Sequence, residues 1–229
     1  MPNPAQPVRV QIFSMEKQNF TPALGHDFLT VWYDATIRLT MPERKFRRLL
    51  VEQIDPQPDE KILEFGFGTG ANLLLVKEKC RDAKLCGLDI DPKVQELAHR
   101  KLAKRRLYVP LDLYEGMMFP YTTLRFDKVF SCLVFHQLDE NGKAASLGEI
   151  HRVLKRGGRL IVADWGAAAN RRMRLAFGLV QLLDGFKTTG DNVRGRLPDF
   201  IREAGFRDVQ TVGSINTAIG TFSYFTAIK

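Results

Sequence analysis

At 229 residues the chain has the length of one domain whose core covers both faces of a sheet, and residues 1–229 read as that single domain. Its 45% hydrophobic and 26% charged residues are ordinary for a globular protein. No apolar run reaches membrane-spanning length and no signal-peptide core opens the chain, so a cytoplasmic protein is expected. The net charge of +8 would suit a nucleic-acid or anionic-membrane partner, but the basic residues fall in separate clusters (44–48, 101–106 and 171–174) with no RNA-binding motif. Solvated helix faces explain that pattern better, and no nucleic-acid partner is expected; peripheral membrane contact stays open.

Residues 1–20 are proline-rich and then mixed, as in a draped tail. Two amphipathic helices follow. Phe28, Leu29, Trp32 and Tyr33 stand at helical spacing, and Phe46, Leu49, Leu50 and Ile54 repeat it, with Pro42 in the first turn and Asp55-Pro56 at the end. They read as a cap over residues 1–56, either covering the sheet or closing on a ligand.

Lys61–Phe65 has the short apolar character of a buried strand, and Ala71–Lys77 opens a helix. Between them runs Gly66-Phe67-Gly68-Thr69-Gly70, a turn that admits a nucleotide-like ligand against a helix start. Gly66-x-Gly68-x-x-Ala71 also fits the loose dinucleotide pattern. Two features oppose that. Glu64 would repel a pyrophosphate, and Gly70 makes the loop G-x-G-x-G. A ligand carrying an ammonium and a sulfonium would instead welcome Glu64. The segment Glu64–Gly70 resembles motif I of the class I S-adenosylmethionine-dependent methyltransferases.

Downstream the chain alternates strand and helix, which predicts a parallel sheet. Strand two, Leu85–Leu88, ends in Asp89-Ile90-Asp91-Pro92. Asp89 is placed to grip ribose hydroxyls and Asp91 to cap the helix that Pro92 opens, although both acids could serve as caps. Strand three is expected at Leu107–Pro110, followed by Leu111-Asp112-Leu113. Phe126–His136 resembles the family's strand-four block, with Cys132 at its end and His136 beyond. His136 reads either as the group that reaches the methyl or the acceptor, or as a turn histidine before the next helix. Three cysteines without a C-x-x-C pair and four dispersed histidines predict neither a disulfide nor a metal site.

A helix over Ala144–Leu154 is expected to stop on the left-handed Gly157-Gly158, before strand five at Arg159–Ala163. Arg152–Gly158 resembles the family's Arg-Val-Leu-Lys-Pro-Gly-Gly block, with Arg156 in place of proline. Asn170–Asp184 and Leu197–Ala204 read as helices on the substrate side. Val209–Ile215 and Phe222–Ile228 alternate as a closing antiparallel hairpin.

The resemblance spans about residues 25–229 and looks nearest to the ubiquinone/menaquinone-biosynthesis C-methyltransferases; Tyr33-Asp34 is similar to a pair near their N-terminus. It implies an α/β, Rossmann-like three-layer sandwich with a seven-stranded, mostly parallel sheet, a C-terminal antiparallel hairpin and an N-terminal helical cap. The cap and tail would be residues 1–56, the cofactor core 57–164 and the substrate side 165–229. The implied cofactor is S-adenosylmethionine, leaving as S-adenosylhomocysteine. Its contacts would be Tyr33, Glu64, Gly66, Gly68, Gly70, Asn72, Asp89, Ile90, Asp112, Leu113 and Cys132, with His136 catalytic. The implied acceptor is a small molecule with a quinone-type or phenolic ring. An O- or N-methyltransferase of another metabolite, or a catalytically silent cofactor-binding partner, remains open beside it.

Overall fold

The computed structural model describes residues 43–116, 118–166, 194–217 and 220–229. Its centre is a sheet of seven strands: β1 (Lys61–Phe65), β2 (Lys84–Asp89), β3 (Leu111–Leu113), β4 (Phe126–Cys132), β5 (Leu154–Trp165), β6 (Arg207–Asn216) and β7 (Thr221–Ile228). They lie in the order β3-β2-β1-β4-β5-β7-β6, with β1 to β5 parallel and β7 inserted antiparallel between β5 and β6. The order reverses between β1 and β4, so the chain leaves these two strands in opposite directions and opens a crevice at their carboxyl ends.

Five described helices cover the sheet: α1 (Glu43–Ile54), α2 (Ala71–Lys79), α3 (Pro92–Lys104), α4 (Glu140–Val153) and α5 (Leu197–Glu203). Phe46, Leu50 and Ile54 of α1 join Leu73 and Val76 of α2 and Ala98 and Leu102 of α3 on one face. Leu147, Ile150 and Val153 of α4 join Phe200 and Ile201 of α5 on the other. These are the layers of a three-layer sandwich. Strand residues alternate between the faces. Ile62, Leu85 and Phe130 turn to the first and Leu63, Leu88 and Val129 to the second. No helix among the described residues is long and apolar enough to cross a membrane.

The alternation of strand and helix, the parallel core and the closing hairpin agree with expectation; two element boundaries do not. Residues 107–110 are not a strand. Arg106 turns left-handed at φ 54°, and the Leu107 N–H closes the end of α3 on the Leu102 carbonyl. Pairing with β2 begins only at Leu111, after Pro110, which has no N–H to donate.

The double glycine does not stop a helix either. α4 ends at Val153 because Leu154 is already extended and pairs with Phe126. Gly157, at φ 74°, instead turns a bulge inside β5, where its N–H donates to the Lys229 carbonyl and the Lys229 N–H donates to that of Gly158. The left-handed glycine was legible; its task was misread.

Candidate active site

The period of two sorts the polar residues at the carboxyl ends of the strands into two groups. Glu64, Asp89 and Cys132 share the face covered by α1, α2 and α3; Asp112 and Asp164 share the other.

Glu64 is fully buried at the end of β1. Its Oε1 accepts a 2.8 Å hydrogen bond from Asn72 Nδ2, and its Oε2, also buried, has no partner. Burial drives its carboxyl up to about 8, and the Asp89 charge adds to that; the Asn72 amide, the Arg47 guanidinium and the Leu73 N–H at the start of α2 oppose it. A buried carboxyl oxygen without a donor is a costly arrangement that a bound cation would relieve.

The loop after Glu64 is folded against Asp89. Asp89 Oδ2 accepts from the Gly68 N–H at 2.8 Å, and its Oδ1 from the N–H groups of Ile90 at 2.7 Å and Asp91 at 3.2 Å. Burial raises its carboxyl above the ordinary range despite those three donors. Asp91 caps α3 through Lys93 N, with Pro92 behind it, as its spacing predicts. Gly66 takes φ 75° where a Cβ would stand 2.2 Å from Val134 Cγ2. The third glycine, Gly70, caps α2 in the left-handed region and packs against Ala98. Together the three glycines bring bare backbone to the crevice.

Asp112 receives the Tyr121 hydroxyl at 2.8 Å, and Leu113 beside it is exposed at the sheet edge. Ile90 is half-buried beside Gly116. Cys132 is buried and its thiol is pushed up to about 12 by desolvation, which leaves it a neutral packing group near Asn72 and Glu64. Tyr33 lies outside the described residues, as do Arg171, Arg172 and Arg174.

His136 sits in a single 3₁₀ turn, Phe135–Gln137, and is fully buried. Its Nδ1 meets Asp164 Oδ1 at 2.8 Å, while Asp164 Oδ2 accepts from the N–H groups of His136 and Val134. Asp164 Oδ1 also accepts from Trp165 N–H. A carboxylate only accepts, so it fixes the orientation of the ring with a proton on Nδ1. Leu133 enters this turn at φ 59°, a strained conformation for leucine, with its N–H held by the Ala163 carbonyl.

Sequence reading missed Asp164 because it lies far from His136 in the chain and follows the apolar run Leu160–Ala163. It also missed Arg47, assigned to a solvated basic cluster, although the buried stripe Phe46, Leu50 and Ile54 runs beside it.

Residues 63–162 match the methyltransferase domain family. The chain is 32% identical over 150 residues to the demethylmenaquinone methyltransferase of Thermus thermophilus, covering 65% of this chain and 66% of that one. It is 25% identical over 137 residues to that of Deinococcus radiodurans, covering 60% and 56%. The chain thus spans between a little over half and a little under two thirds of the length of these relatives. Among solved structures, a SAM-dependent methyltransferase from Aquifex aeolicus superposes with a TM-score of 0.63 at 19% identity, over 84% of this chain and 96% of that one.

Proposed function

We propose that this chain, a class I S-adenosylmethionine-dependent methyltransferase by its domain match and its strand order, transfers a methyl group to a small-molecule acceptor with a quinone-type or phenolic ring. The observation that carries the reading is the buried, unpartnered Glu64 Oε2 beside a glycine loop and a strand-two acid. Glu64 would hold the ammonium of the cofactor, and a pyrophosphate would be repelled there. Gly66, Gly68 and Gly70 would give it close backbone contact, with Asn72 steadying Glu64. Asp89 would take ribose hydroxyls, while Ile90, Asp112, Leu113 and Cys132 would bound the adenosyl group. The demethylmenaquinone relatives support the ring acceptor. Its recognition is assigned to residues 1–56 and 165–200.

When bound, S-adenosylmethionine supplies a methyl already activated by its sulfonium, so the protein's work is alignment and exclusion of water. The acceptor loses one proton for each methyl it gains. His136 is the candidate to receive that proton, with Asp164 holding its ring and Tyr33 second in line. His136→Ala should slow transfer by about a hundredfold or more and leave cofactor affinity nearly unchanged. Single-turnover rates and equilibrium binding read the two separately, and parallel loss of both would make His136 structural.

Calorimetric titration with S-adenosylhomocysteine, with NADH as control, tests the reading. Binding of the first alone is expected, after which demethylated quinones are the first acceptors to assay. Binding of NADH alone would overturn the assignment from the glycine loop onward.

A further inference from the structure

We propose that Arg47 on α1 is a positioning residue for the cofactor site, acting through Asn72 to set the direction of the hydrogen bond that Glu64 receives. The inference rests on the cofactor reading above.

Three residues from three elements form one polar chain. Arg47 Nη1 donates to Asn72 Oδ1, and Asn72 Nδ2 donates to Glu64 Oε1. Behind them Arg47 Nε is held by Glu43 Oε1 at 2.9 Å, and its guanidinium lies over the Phe46 ring. A guanidinium has donors only, so the Asn72 amide can meet it only with its oxygen. The amide nitrogen is thereby turned toward Glu64, which must accept. Without Arg47 the amide could rotate by half a turn and offer Glu64 an acceptor, a pairing that favours a protonated carboxyl. Arg47 therefore selects the ionised Glu64 twice, through its charge and through the orientation of Asn72.

This chain of contacts also ties the N-terminal helix to the ligand. Phe46, next to Arg47, packs in the core under Phe222, and its carbonyl accepts the Tyr224 hydroxyl at 2.8 Å. Docking of α1 and readiness of Glu64 are one event in this geometry.

The charged or titratable groups facing Glu64 are Arg47 from α1, Asp89 at the end of β2 and Cys132 at the end of β4. Of these charged or titratable groups Arg47 alone favours the ionised form, alongside the neutral Asn72 amide and Leu73 N–H. The cofactor's ammonium needs that form, so affinity in the wild type should rise with pH through a midpoint near 8, where Glu64 titrates in the empty protein, and level off above it. Removing Arg47 should move the midpoint of this rise upward.

The experiment measures S-adenosylhomocysteine affinity of the full chain by calorimetry from pH 6 to 9.5. Arg47→Met should bind about tenfold more weakly at pH 7 and recover part of the loss at the alkaline end, one pH unit of midpoint shift being a factor of ten. Arg47→Lys, which keeps a charged donor for Asn72, should keep the wild-type midpoint. Asn72→Leu should shift the midpoint in the same direction as Arg47→Met, and it carries the test if that variant does not fold. A uniform loss at every pH, or profiles that superimpose on the wild type, would overturn the proposal. A wild-type protein that binds no S-adenosylhomocysteine at any pH would overturn the cofactor reading itself, which separates the two failures.

Discussion

Asp89→Ala should raise the dissociation constant for S-adenosylhomocysteine by about a hundredfold, the effect of losing one or two charge-assisted hydrogen bonds. It should also loosen the loop that Asp89 holds before any ligand arrives. The carboxylate already accepts from Gly68, Ile90 and Asp91, so it fixes both the glycine turn and the exit of β2. Alanine would leave three backbone N–H groups to find water, at a net cost of about 1–3 kcal/mol. The cost is held down because burial already opposes the ionised form, as the raised titration of Asp89 records. Asp89→Asn separates the two roles. Its amide keeps one acceptor oxygen and turns donors toward either the Gly68 N–H or the ribose, so it should bind between wild type and alanine. Calorimetry and thermal melts read these effects, and an alanine variant of unchanged affinity would remove Asp89 from the ribose site.

The sheet was legible in the sequence because parallel strands are short, apolar and punctuated. Lys61–Phe65 before a glycine run and Asp91-Pro92 after a strand each have few alternatives. Strand three was misplaced because Leu107–Pro110 is as apolar as a strand, while its backbone closes a helix end; only a partner strand reveals that difference. Gly157-Gly158 failed similarly. A left-handed glycine serves a helix stop and a strand bulge equally well, and the C-terminal Lys229 that decides between them is distant in the chain. The place of Glu64, an acid two residues before the first glycine, was legible, and the cation role proposed for it starts from there. Its unpartnered oxygen, the Asn72 bridge and the Arg47 that orients it were not, because each depends on a contact between elements. The same holds for Asp164, whose grip on His136 joins the ends of two neighbouring strands.

Gly66→Ala should lower both stability and cofactor affinity, for reasons that can be separated. The backbone at Gly66 stands at φ 75°, and holding an L-residue there costs about 1–2 kcal/mol. The new Cβ would also stand 2.2 Å from Val134 Cγ2 and 3.3 Å from Cγ1. Valine is stiff about χ1, and with both methyls already facing the glycine a rotation exchanges one for the other. Overpacking of this kind adds about 1–3 kcal/mol. A chain of this size loses about 2–4 °C per kcal/mol, so the melting temperature should fall by roughly 5–15 °C. Val134→Ala in the same chain would remove the clash and keep the backbone strain. The double variant should therefore melt above Gly66→Ala alone, even though Val134→Ala by itself removes packing, which is a non-additivity that residues in contact produce. Strict additivity would mean the loop shifts away from Val134 when the methyl is added. In that case the affinity for S-adenosylhomocysteine should fall without recovery in the double variant, since a displaced loop no longer presents its backbone beside Glu64.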